Sequence, residues 1–289
     1  YLRYTKEVPA SGGLLEEHMI GSPRFLNPVY ADVNDADRDL TQFLFSGLLE
    51  YNEEGVLVSD LAKGYEVLEG GKVFEFTLKE NVKWHDGYPF RADDVVFTVK
   101  TIQDPKYKSP IRANWVGVEV EKVSSQVVRF RLSQPYAAFP DRLTLKIIPS
   151  HIWENINPEN FALSFYNLQP IGTGPYKLEK ISQDKSGRVK EIRLERYRAY
   201  HGAPPFINAV LFTFSDKEEN SMTTQFAKRT ATYQFSIPRY FALFFNLDAP
   251  KEQAVVKEKS IREALAYALD KNLLVEKVFK GDAAVVDSP

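Results

Sequence analysis

Residues Asn81–Lys100, NVKWHDGYPFRADDVVFTVK, gather Trp84, His85, Asp86, Asp93 and Asp94 around a Gly87/Pro89 turn. A histidine beside carboxylates is the composition of a general base with an orienting acid. A hydrolase using His85 with Asp86 or Asp94 is therefore one reading. The other is scaffold. His85-Asp86-Gly87 followed by Pro89 is turn punctuation. Asp93 and Asp94 fall in the first turn of a helix expected from Ala92, where carboxylates gain roughly 0.3–1 kcal/mol each from the amide dipoles. Adjacent helical residues point about 100° apart, so these two carboxylates are not a facing acid/base pair. Spacing favours strand, turn and capped helix over an active site.

Elsewhere, catalytic chemistry finds few footholds. None of His18, His85, His151 and His201 stands three or four residues from another, and there is no HExxH, so neither a metal nor a cofactor is expected. The chain has no cysteine, which excludes disulfides, thiolate metal sites and a cysteine nucleophile. No GxSxG elbow marks a serine nucleophile. Gly172-Thr173-Gly174-Pro175 superficially resembles a phosphate loop, but it lacks GK[ST], and Pro175 removes a backbone donor. It reads as a tight bend where two backbones approach.

The elements that would carry these residues are legible in places. Tyr65–Leu68, a Glu69–Lys72 turn and Val73–Lys79 form an expected hairpin, with Phe74, Phe76 and Leu78 on one face. A second hairpin spans Val118–Leu132, where Val128, Phe130 and Leu132 alternate with Arg129 and Arg131 and Ser124-Ser125 supply the turn. One helix is expected over Ala92–Ile102, with Val95, Val99 and Ile102 inward, ended by Asp104-Pro105. Another starts at Ser260 with a capping box, Ser260-Ile261-Arg262-Glu263, and an apolar stripe of Ile261, Ala264, Leu265, Ala268 and Leu269. A third, Asn272–Phe279, stops at Gly281. Residues 155–174 and the surroundings of Ala203-Pro204-Pro205 read as loops.

Composition bounds the class. A length of 289 residues suggests two or three domains, at ~150 residues each. With 44% hydrophobic and 26% charged residues the chain can bury a core. The net charge of −2, with signs interspersed, offers no argument for a nucleic-acid partner. Aromatic content of 13% supplies contact area for a core or a roomy cleft. No apolar run approaches the ~18 residues that cross a bilayer. The start, YLRYTKEVPASGG, has basic residues just after Tyr1 and Leu2. It reads either as the juxtamembrane end of an anchor or signal segment or as an ordinary frayed terminus.

Trp84, Asp86, Gly87, Pro89, Phe90, Ala92, Asp94, Val95, Val96 and Phe97 together resemble the signature of the family 5 extracellular solute-binding proteins. These are the oligopeptide-, dipeptide- and nickel-binding components of ABC importers. Arg91 departs from it, standing where Thr or Ser usually caps the helix. Further resemblances run in the family's order: Phe25–Pro28, Ser46–Tyr51 with Gly55 and Asp60–Ala62, Ile148–Trp153, Gly172–Tyr176, Tyr240–Asn246, and Ile261–Leu265 with Ala268–Lys271. Two departures stand out. The passage between Asp216 and Tyr240 is shorter than the family's, and the chain stops early in what would be the second lobe, so it resembles a fragment.

The resemblance implies an α/β fold of the type II periplasmic-binding-protein kind, with two lobes, mixed sheets and three domains. Domain I would be 1–44 plus 170–239, domain II an inserted unit over 45–169, and domain III, begun at 240–289, incomplete. It implies a non-enzymatic, monomeric binder that captures short peptides by lobe closure and hands them to ABC permease subunits. The location implied is periplasmic or cell-surface, anchored through a segment N-terminal to this chain. A nickel chelate or an oligosaccharide is the alternative ligand. Ligand contacts are expected at Asp32, Val33 and Asn34, through main-chain pairing with an extended peptide. Ile111, Trp115, Gly172, Thr173 and Gly174 are the further expected positions on the cleft wall.

Overall fold

The computed structural model describes residues 10–216, 241–247 and 255–286, and the chain divides into two units, Tyr1–Met222 and Thr223–Pro289. In the first unit the chain runs β1 (Leu14–Ile20), α1 (Asp35–Leu44), β2 (Leu49–Tyr51), β3 (Leu57–Ser59), β4 (Ala62–Leu68), β5 (Val73–Leu78) and α2 (Ala92–Gln103). It continues through β6 (Val118–Ser124), β7 (Val127–Leu132), the single-turn helices α3 (Phe139–Arg142), α4 (Ser150–Trp153) and α5 (Pro158–Phe161), then β8 (Tyr176–Gln183), β9 (Val189–Arg196) and β10 (Ala209–Ser215).

Both expected hairpins form, and they join into one antiparallel sheet of order β4-β5-β7-β6. The period-2 pattern sets the register. Phe74 opposes Phe130 and Phe76 opposes Val128 on the buried face, while Glu75 opposes Arg129 on the wet face. Arg129 bridges Glu75 and Glu121 at 2.6 and 3.0 Å, closing the outer face with opposite charges on adjacent strands. The β6–β7 turn is Ser125-Gln126, one residue later than the alternation suggests. Helix α2 covers the sheet with Val95, Val99 and Ile102, all buried as expected, and Trp115 and Phe139 fill the remaining space against Phe130.

A second four-stranded sheet has the order β1-β10-β9-β8 and is mixed. β1 runs parallel to β10, pairing Leu14 with Ala209, and the other pairs are antiparallel. Helix α1 lies against it through Phe43, whose ring meets Tyr176 and Phe212 at 5.9 and 5.4 Å. This helix is absent from the sequence reading, although Asn34 caps it by accepting the Asp37 amide and Ala36, Leu40 and Leu44 are spaced for one buried face.

The second unit, described by itself, contains α6 (Lys259–Ala268) and α7 (Lys271–Lys277). The capping box expected at Ser260 is not formed. Helix α6 starts one residue earlier, behind Glu258, with no side-chain cap. Its apolar stripe is present but exposed, Ile261 at 37% and Leu265 at 44%, so among the described residues this unit has no buried core to hold it. Helix α7 is capped by Asp270 and ends at Lys277, two residues short of the expected Phe279; Gly281 lies beyond it with a φ of 89°, the left-handed conformation glycine accepts most readily.

Candidate ligand-binding site

A cavity of about 250 Å³ opens where three segments of the first unit converge. The first wall is Pro28–Asp32 with the adjoining face of α1. Asn27, fully buried, accepts the Val29 amide and donates to Asn167, and the Ser109 hydroxyl and the Tyr30 phenol tie the same loop across to Val29 and Tyr107 carbonyls. Buried Asp37 accepts the Arg24 and Phe25 amides and so ties the loop's start to α1. The second wall is the turn Ile111–Trp115. Gln103, the last residue of α2, donates to the Trp115 and Val118 carbonyls, and Arg112 donates back to the Gln103 carbonyl. The third is Arg142–Lys146, pinned by a bridge between Gly47 and Lys146 and by the Ile147 amide on the Ser46 carbonyl.

The walls are unevenly charged. Arg38 pairs with Asp35 at 2.5 Å. Arg142 donates to the Asn114 carbonyl and lies over the Tyr136 ring at 5.0 Å. The Lys146 ammonium makes no hydrogen bond or ion pair with any described residue. Desolvation pushes its amine below the usual lysine range, opposed by the carboxylates of Asp60 and Glu50. Asp60 is itself buried and held by His201 at 2.6 Å.

Of the residues expected in the site, Asp32, Ile111 and Trp115 line this cavity. Val33 is exposed, and Asn34 is spent on the α1 cap. Ala31–Val33 form a 3-10 turn, and only Asn34 is extended. Gly172, Thr173 and Gly174 lie instead at the C-terminal end of α1. A Cβ on Gly172 would stand 1.8 Å from the Leu44 carbonyl oxygen, and one on Gly174 would stand 2.5 Å from that of Phe43. Buried Thr173 accepts the Ser46 amide. Arg38, Arg142 and Lys146 escaped the sequence reading. Lys146 had a signal, a lone cation inside the apolar run Leu143–Ile148.

The opening constellation is not brought together for catalysis. The His85 ring accepts the Gly172 amide at Nδ1 and donates from Nε2 to the Gly174 carbonyl, both at 3.1 Å. Burial holds its pKa down to about 4, so the ring is neutral. Asp86 pairs with His151, at 2.8 Å, and not with His85. Asp94, also buried, accepts from the Arg91 amide, the Trp84 indole, and both the amide and hydroxyl of Ser150. Arginine has no acceptor, so the α2 cap is one-sided: Asp94 takes the Arg91 amide and nothing returns from the Arg91 side chain. Among the described residues, no group of three or more His, Asp or Glu could hold a metal ion.

The model of the bacterial extracellular solute-binding proteins, family 5 (middle), matches residues 56–231. The oligopeptide-binding protein AppA of Bacillus subtilis is 28% identical, over 97% of this chain and 54% of its own length. Its structure with a nonapeptide aligns with a TM-score of 0.76 at 27% identity, covering 96% of this chain and 58% of that one. NikZ of Campylobacter jejuni, in complex with Ni(L-His), aligns at 0.72 and 28% identity, covering 96% and 57%. The chain spans about half the length of the curated relatives it matches.

Proposed function

The chain belongs to the bacterial extracellular solute-binding proteins of family 5 and has the fold of the type II periplasmic binding proteins, and from that premise we propose that it captures short peptides outside the cytoplasm and delivers them to an ABC permease. The observation that carries this reading is the cavity walled by Asp32, Ile111 and Trp115, in a chain whose fold matches that of a protein solved with a nonapeptide. A seam between segments far apart in sequence suits an elongated ligand, because each segment contributes its own side-chain pocket. The engagement of His85, Asp86 and Asp94 in structural bonds supports binding over hydrolysis.

The proposal includes a three-domain division: 1–44 with 170–239, 45–169, and 240–289. The pairing of β1 with β10 supports it, since one sheet draws on both ends of the first unit. It also includes an extracytoplasmic location with an anchor N-terminal to this chain. No helix among the described residues is long and apolar enough to cross a membrane.

A second reading, a nickel-chelate binder, is favoured by the similarity to NikZ. Calorimetry and thermal shift on the full-length protein against peptides of two to eight residues, nickel–histidine chelates and oligosaccharides separate them. Saturable binding of peptides is expected. Response to nickel–histidine alone would transfer the assignment to the second reading, and response to no peptide pool would overturn the first.

A further inference from the structure

Lys146 is the cation on the cavity wall that no described residue neutralises by contact. Arg38 is matched by Asp35 at 2.5 Å and lies near Asp39 at 3.8 Å. Arg142 uses one N–H on the Asn114 carbonyl, leaving the rest of its five-donor fork. The ammonium of Lys146 has three donors and no hydrogen-bond partner among the described residues. Its backbone is held on both sides, by the bridge to Gly47 and by fully buried Ile147 and Ile148, so the stem emerges at one place. The carboxylates of Asp60 and Glu50 oppose the effect of burial on its amine, but neither comes within ion-pair distance, and Asp60 is taken by His201.

We propose that this cavity selects a carboxylate on the bound peptide, with Lys146 as its counter-charge and Arg142 as a second donor. The inference rests on the peptide-binding reading and deepens it by naming the ligand's charge. A half-buried ammonium without a partner is costly, and a ligand carboxylate would complete it. Asp32 is the opposing charge on the walls, yet it is solvent-exposed, where its repulsion is screened. An interaction at Lys146 takes place in a medium of lower effective dielectric and outweighs it. The carboxylate can come from an acidic side chain or from the peptide's C-terminus.

The test uses the full-length protein and calorimetry with matched peptides. One arm exchanges Glu for Gln at each position of C-terminally amidated peptides. The other compares free and amidated C-termini on peptides without acidic side chains. In one arm, loss of the carboxylate is expected to weaken binding about tenfold or more. Lys146→Met should remove the difference in affinity between the carboxylate peptide and its neutral partner, while Lys146→Arg keeps the preference. Equal binding of charged and neutral peptides by the unaltered protein would overturn the inference and leave the peptide reading standing. So would a preference that survives Lys146→Met. Should that variant fail to fold, the unaltered protein's two arms decide. Binding of no peptide would overturn the reading itself, and the inference with it.

Discussion

Both ring nitrogens of His85 are committed to backbone groups, one accepting from Gly172 and one donating to Gly174, an arrangement only the neutral ring satisfies. The folded protein takes up this proton near pH 4, whereas the unfolded chain takes it up near 6.5. Unfolding between those values therefore absorbs a proton, and the stability that His85 contributes, complete above pH 6.5, declines as pH falls towards 4. His85→Gln should cost about 1–3 kcal/mol at pH 7.5. Urea melts at pH 7.5, 5.5 and 4.5 should show the gap to the unaltered protein closing with acid; a gap independent of pH would mean that folding leaves the ring's proton affinity unchanged. Asp94 makes the complementary case. Burial pushes its carboxyl up, against four donors that pull it down. Asp94→Asn turns an amide group towards two of those donors and should cost about 2–4 kcal/mol in chemical denaturation. An effect below about 0.5 kcal/mol would show that water replaces those bonds.

Among the elements, the crossing of Gly172–Gly174 over the end of α1 tolerates the least change. The Gly174 amide donates to the Leu44 carbonyl at 2.9 Å, so the two backbones touch with no room between them. Gly172→Ala would place a methyl 1.8 Å from that oxygen, and neither backbone can yield without breaking the His85 clamp. A loss of about 2–4 kcal/mol is expected. Gly64→Ala, in β4, meets nothing within 4 Å and should stay within about 0.5 kcal/mol. Equal melting temperatures for the two variants would refute the close approach. At this scale the sequence was legible where periodicity is strong. The hairpins and α2 have alternating or three-to-four spacing with clear stops, and they form within three residues of expectation. Helix α1 was missed because DADRDLTQFL is mostly polar, and its apolar residues gain meaning only once a sheet is there to receive them. At α6 the capping box failed because Ser260 lies inside the helix, where its hydroxyl cannot serve the first amides.

For the molecule as a whole, the expected property is linkage between ligand and stability. A peptide at about 100 times its Kd should add roughly 2.7 kcal/mol, read as a melting-temperature rise of several degrees that grows with the logarithm of concentration. Trp115, 2% exposed on the cavity wall, reports on the same event. Trp115→Ala should abolish or sharply weaken the peptide-induced shift, at a separate stability cost of about 3–5 kcal/mol for the lost packing against Phe130 and Phe139. A variant that remains folded and keeps the full ligand-induced shift would remove Trp115 from the site.

The sequence by itself determined the family, two hairpins, helix α2 and three residues of the cavity. Alternation, turn residues and linear motifs act over a few positions and need no partner to be read. Only the tertiary structure decided what those residues do. Asp94 draws donors from positions 84, 91 and 150, His85 is clamped by positions 172 and 174, and Lys146 faces a cavity shared with Asp32 and Trp115. Apart from Arg91, these meetings join positions ten to more than a hundred residues apart. They exist because sheets and helices pack at particular distances, and the local pattern of the chain contains no such distance.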